Sequence, residues 1–305
     1  MSRREHRAAE RAHFLGAEGN RLLGDRIAGA RPEADTVLLL HGGGQTRHAW
    51  KGTAERLSAE GLATVAIDQR GHGESQWVDS GRYRYRDYAE DARAVLEAMR
   101  AAHPAGRAPI AIGASLGGIA SWLAESETPG SVRALVLVDV VPNMDAVGVD
   151  RIQAFMRARM ADGFASLDEA ADAVAAYQPH RRRPASHEGL AKNLRLDPDG
   201  RWRWHWDPRF MEGPFAVEGQ SPEVEAELAA AASRLSCPVL LVRGALSDLV
   251  TPERAEGFLR IVPHAEVVEV ATAAHMVAGD RNDVFAAAIL DFVMRIERDD
   301  PEAVR

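Results

Sequence analysis

The chain has 305 residues, 46% hydrophobic and 27% charged, a balance that fits a globular domain with an insertion and excludes a disordered or fibrous chain. Lys and Arg number 37 against 45 Asp and Glu, so the formal net charge is −8, which argues against non-specific nucleic-acid binding. The single cysteine, Cys237, excludes an intrachain disulfide and a Cys-based zinc site, and no stretch approaches the roughly 18 apolar residues of a membrane span.

The basic start (Arg3, Arg4, Arg7, Arg11) has no apolar run or small-residue cleavage site after it, so residues 1–12 read as a solvated tail. An antiparallel strand pair is expected around Phe14-Leu15 and residues 22–28, turning at Glu18-Gly19-Asn20. Apolar, β-branched-rich runs follow at 36–41, 63–68, 109–114, 134–141, 238–244 and 266–271, several of them nearly free of polar residues, as strands buried on both faces are. Amphipathic helices separate them: Tyr88, Ala92, Val95, Leu96 and Met99 share one face, and Phe285, Ile289, Phe292, Val293 and Ile296 share another. Thr251-Pro252 and Asp280 mark helix starts. The alternation predicts an α/β fold with a mostly parallel, doubly wound sheet. Cys237 opens a core strand as a small hydrophobe, and a lone thiol fits a cytoplasmic location.

The alternation stops between 143 and 235. This stretch carries helical pieces at 151–160 and 167–177, then the turn Asp197-Pro198-Asp199-Gly200, then Trp202, Trp204 and Trp206 alternating with Arg201, Arg203 and His205. It reads as a mainly helical, mobile or semi-mobile lid inserted into a core of residues 13–142 and 236–298, with 299–305 as a C-terminal tail.

Gly113-Ala114-Ser115-Leu116-Gly117 fits G-x-S-x-G where a buried strand turns into a helix. A nucleophilic hydroxyl must stand proud of the sheet, and small neighbours let strand and helix close around that bend; the helix N-terminus then turns backbone N–H groups toward developing negative charge. His41-Gly42-Gly43-Gly44 follows an earlier strand, and its glycines clear a path to a backbone amide; Gly43 and Leu116 are the candidate oxyanion donors, with Gly44 the alternative to Gly43. A serine needs a base held in one orientation. His275 follows the last strand and is the candidate base. Asp248, after the strand at 238–244, is the favoured orienting acid in the chain order Ser, Asp, His, and Asp139, at the end of the strand from 134, is its rival.

Asp68-Gln69-Arg70-Gly71-His72-Gly73-Glu74-Ser75 reads as structural, a tight loop anchored by Arg70, with His72 inside the turn. Gly44, Trp50 and Trp206 are candidate substrate contacts, and Arg181-Arg182-Arg183 reads as a solvated charge run. No HExxH, Walker-type loop or dinucleotide fingerprint is present, so no metal or nucleotide cofactor is implied.

These residues together resemble the α/β-hydrolase superfamily, and within it the bacterial serine esterase, cofactor-free haloperoxidase and epoxide-hydrolase-like group. The resemblance runs from about Phe14 to Pro142 and from Cys237 to about Ile296. It implies a carboxylic ester of a small molecule cleaved through an acyl-enzyme, with no membrane or nucleic-acid partner. Epoxide hydrolases and haloalkane dehalogenases carry aspartate where this chain has Ser115, so those two activities are excluded. Lactones, thioesters, C–C bonds of diketones and perhydrolysis are alternatives open to the same triad, and a non-catalytic ligand receptor is the more distant one.

Overall fold

The computed structural model describes residues 8–31, 33–177, 186–271, 273–275 and 282–298. Strands β1 (Glu10–Leu15) and β2 (Arg21–Ile27) form the expected antiparallel pair, in register from Glu10 opposite Arg26 to Leu15 opposite Arg21. Residues 10–12, assigned to the tail by sequence, belong to β1, where Arg11 donates to Glu74 at 2.6 Å and ties the strand to the loop at residues 68–75.

The remaining core strands are β3 (Thr36–Leu40), β4 (Ala63–Ile67), β5 (Ile110–Ala114), β6 (Ala134–Val138), β9 (Val239–Gly244) and β10 (Glu266–Val270). They assemble in the order β1-β2-β4-β3-β5-β6-β9-β10, parallel from β4 to β10. Side chains alternate between two apolar clusters, as the two-residue repeat of a strand requires. Leu38, Leu40, Leu135 and Leu137 face one side, while Val37, Leu39, Ala134 and Val136 face the other. On the first side lie α2 (Tyr85–Ala102), α3 (Leu116–Glu127) and α8 (Pro252–Ile261), and on the second α1 (Lys51–Ala59) and α9 (Ala286–Arg298). The sheet is therefore buried on both faces, which is why its strands read as nearly continuous apolar runs.

Between β6 and β9 the insertion supplies α4 (Ala146–Arg157), α5 (Leu167–Tyr177), α6 (Glu188–Ala191), the antiparallel hairpin β7 (Leu194–Leu196) and β8 (Trp202–Trp204), and α7 (Pro222–Ala232). Its tryptophan segment is fastened to the core. Gly73 donates to His205 O at 2.7 Å, Asp207 donates to Gly71 O at 2.8 Å, and the Tyr83 hydroxyl donates to the buried Asp207 carboxylate at 2.6 Å. The loop at 71–73 thus holds this part of the insertion, and His72 within the loop bonds to Gly44 of the glycine loop after β3. Arg181-Arg182-Arg183, Asp280 and the C-terminal tail lie outside the described residues. Among the described residues no helix is long and apolar enough to cross a membrane, and no cluster of three potential metal ligands occurs.

Candidate active site

Ser115 leaves β5 with φ 45° and ψ −114°, a conformation that L residues avoid, and α3 begins at the next residue. Two glycines make the bend feasible. A Cβ on Gly113 would come within 2.3 Å of the Gly117 backbone, and one on Gly117 within 2.4 Å of Leu40 O, so strand and helix meet at backbone distance. The Ser115 amide stays in the sheet, donating to Val138 O at 3.1 Å, while the Leu116 amide sits at the open N-terminus of α3.

Asp139 occupies the equivalent point on the neighbouring strand, just past the end of β6, with φ 54°. Its carboxylate is buried and accepts three hydrogen bonds: from the Ser247 hydroxyl at 2.7 Å, from the Gly244 amide at 3.3 Å, and from His275 Nδ1 at 2.7 Å. A carboxylate can only accept, so Nδ1 carries the proton and Nε2 is the ring's basic nitrogen. His275 arrives because the chain beyond β10 passes against Gly244, where a Cβ would lie 2.4 Å from Ala273 O.

The acid favoured from sequence is corrected here. Asp248 pairs with Arg151 of the lid at 2.5 Å and is one-third exposed, whereas the imidazole is bonded to its rival Asp139. The reason is topological: β6 lies between the strand that carries Ser115 and β9, so a side chain released at its end reaches the centre of the site.

Ser115 and His275 both line a cavity of about 80 Å³, together with Gly43, Gly44, Leu116 and lid residues including Met156, Trp204, Trp206 and Phe210. Of the candidate substrate contacts, Gly44 and Trp206 are in this wall. Trp50 is not: it is fully buried in the cluster on the opposite face of the sheet, with Leu57 and Phe285. The 3₁₀ turn Arg47–Trp50, which follows the glycine loop, carries its ring away.

A residue read as structural bears on the choice between Gly43 and Gly44 as donor. The Gly44 amide donates to His72 Nε2 at 3.2 Å, and His72 Nδ1 lies 3.0 Å from Arg70 O, to which it donates. The Gly44 amide is therefore committed to His72, while Gly43 lines the cavity. His72 is fully buried, and burial, reinforced by nearby His41, holds its pKa down at about 3, so it stays neutral and can accept. His41 is neutral for the same reason, with its pKa lowered to about 4, and its Nε2 accepts the Gln69 amide at 3.0 Å. The anchor of this loop is as expected: Arg70 donates to Asp91 at 2.7 and 2.6 Å and to Glu18 at 2.7 Å.

The sequence profile described as alpha/beta hydrolase fold matches residues 35–281. The chain belongs to the α/β-hydrolase family. This hydrolase is 31% identical over 254 residues to the esterase Rv0045c of Mycobacterium tuberculosis, covering 81% of this chain and 79% of the relative. It is 29% identical over 287 residues to the 2-(acetamidomethylene)succinate hydrolase of Mesorhizobium japonicum, covering 92% and 96%. An α/β hydrolase from Novosphingobium aromaticivorans superposes with a TM-score of 0.78 at 25% identity, over 95% of this chain and all of that one.

Proposed function

We propose that this hydrolase is a serine esterase that cleaves a carboxylic ester of a small molecule through an acyl-enzyme. His275 Nε2 takes the Ser115 proton as Oγ attacks the carbonyl carbon, and the new oxyanion is held by the Gly43 and Leu116 amides. Asp139 keeps the imidazole in the Nδ1–H tautomer and stabilises it when it carries both protons. The imidazolium then gives its proton to the departing alkoxide, so the alcohol leaves. Water, deprotonated by the same nitrogen, attacks the acyl-enzyme and releases the acid with Ser115 restored. Two amide donors that meet charge only in the transition state supply a large share of the acceleration, on the order of 3–4 kcal/mol each.

The observation that carries the reading is the His275–Asp139 hydrogen bond at the wall of the cavity that Ser115 also lines. The esterase relative supports the ester as the scissile bond. Hydrolysis of a p-nitrophenyl ester of a short acid by the wild type and by Ser115→Ala is the test. The reading predicts turnover that vanishes in the variant, with a fluorophosphonate forming a covalent adduct on Ser115 alone. Undiminished turnover in Ser115→Ala would refute it.

A further inference from the structure

The cavity that holds Ser115 and His275 is mainly apolar, yet one acidic residue of the insertion lines it and makes no ion pair among the described residues. Of the lining residues only Tyr85, Gln153 and Glu218 add polar side chains beyond Ser115, His275 and the tryptophan indoles, and no Lys or Arg lines the wall among the described residues. The Tyr85 hydroxyl proton and one N–H of Gln153 are already used. The Tyr85 hydroxyl donates to the Glu218 backbone carbonyl at 3.0 Å, and Gln153 Nε2 donates to the same oxygen at 3.4 Å.

The Glu218 carboxylate accepts the Tyr85 backbone amide at 2.8 Å and receives no side-chain hydrogen bond among the described residues. Burial raises its pKa above the ordinary glutamate value despite that amide. The cation whose field reaches it, Arg84, donates to Pro214 O at 3.1 Å and sits 5.0 Å over the Phe215 ring. A half-buried carboxylate held by a backbone donor keeps further acceptor sites that a ligand's donor can take. The same wall holds the complementary group: the Trp204 ring lines it, and its Nε1–H is buried without an acceptor among the described residues.

We propose that Glu218 selects the substrate of the esterase reading, favouring an ester whose acyl chain bears a hydroxyl group and rejecting one that bears a second carboxylate. A hydroxyl both donates and accepts, so it answers the open acceptor sites of this carboxylate and an unpaired indole N–H in one cavity. A carboxylate in its place has no proton to give and is repelled by Glu218, with no lining cation to offset the repulsion. The inference rests on the cavity being the acyl or alcohol pocket of Ser115, as proposed above.

The test compares methyl butanoate, methyl 3-hydroxybutanoate and monomethyl succinate, followed by acid release. Wild type is expected to prefer the hydroxylated ester over the plain one by about tenfold in kcat/KM and to disfavour the succinate by a similar factor, the range of one hydrogen bond to a charged group. Glu218→Leu should bring the hydroxyl preference below about twofold. Glu218→Gln, which keeps an oxygen for the Tyr85 amide, should relieve the rejection of the succinate. Binding of the three compounds to Ser115→Ala reads the same preferences without turnover. Preference in binding with no turnover by wild type sinks the esterase reading and leaves the role of Glu218 standing. Turnover without a hydroxyl preference, or a preference kept in Glu218→Leu protein that melts and labels at Ser115 like wild type, overturns the proposal. Should Glu218→Leu fail to fold, unchanged discrimination against the succinate in Glu218→Gln overturns it instead.

Discussion

Asp139 and His275 stand 136 residues apart in the chain, and their side chains meet at 2.7 Å in a buried site. Asp248, near in sequence to the last strands, holds Arg151 instead. The two aspartates therefore separate by mutation. Asp139→Asn keeps the shape but offers the imidazole an amide, so the wrong tautomer becomes accessible, and kcat is expected to fall roughly a thousandfold or more. Asp248→Asn breaks a partly exposed ion pair, an interaction that contributes on the order of 1 kcal/mol or less, and kcat should stay within about threefold of wild type. Steady-state kinetics on one ester with both variants check this; equal losses would return the acid to Asp248.

His72 touches the glycine loop after β3 through Gly44 and does not line the cavity, so in the proposed mechanism it is a positioning residue. His72→Phe removes the acceptor and leaves the Gly44 N–H unpaired in a buried site, at a cost of about 1–3 kcal/mol. The loop that aims Gly43 relaxes, and kcat should drop about 10- to 100-fold with KM changed much less, because the lost donor acts in the transition state. His72→Gln restores an acceptor and should recover part of the loss. A KM effect without a kcat effect would show that His72 shapes the binding wall and not the oxyanion loop.

The strands, the elbow and the glycine loop could be read from the sequence because each is a local pattern: an apolar run of strand length, a G-x-S-x-G at its end, a cluster of glycines after another strand. Asp139 was harder. What fixes it is a positive φ at the strand end and bonds from Ser247 and Gly244, both more than 100 residues away. Chain order alone ranks the later aspartate first, since either strand end can supply an acid. Trp50 misled because proximity in sequence to the glycine loop says nothing about which face of the sheet a short 3₁₀ turn presents. Glu218 carried no signal at all: it lies in an irregular stretch before α7, and only the folded lid brings it to Tyr85 and the cavity.

Two buried neutral histidines make stability depend on pH. With folded-state values of about 4 for His41 and about 3 for His72, the unfolded chain, at about 6.5, binds more protons than the folded one throughout the interval between. Their contribution is fully present above about pH 6.5 and is lost as the pH falls toward the folded values, by up to about 1.4 kcal/mol per pH unit for each group. Urea unfolding of wild type and His72→Gln across pH 4.5–7.5 isolates one of them. The variant should show the shallower loss on acidification; parallel curves would mean that His72 titrates normally.

Backbone strain at Ser115 is open to measurement. Ser115 at φ 45° and ψ −114° holds a backbone conformation that costs roughly 1–3 kcal/mol for a residue with a Cβ and little for glycine. Glycine also adds freedom to the unfolded chain, which offsets about 0.5–1 kcal/mol of the relief. Ser115→Gly should therefore be inactive yet about 1 kcal/mol more stable than wild type, visible as a higher urea midpoint at unchanged slope. Ser115→Ala keeps the Cβ and the strain, so it should lose activity without that gain. The comparison of the two variants distinguishes a bend held under strain for the sake of the hydroxyl from one that the surrounding strand and helix accept at no cost, since in the second case Ala and Gly would unfold together or Gly would unfold first.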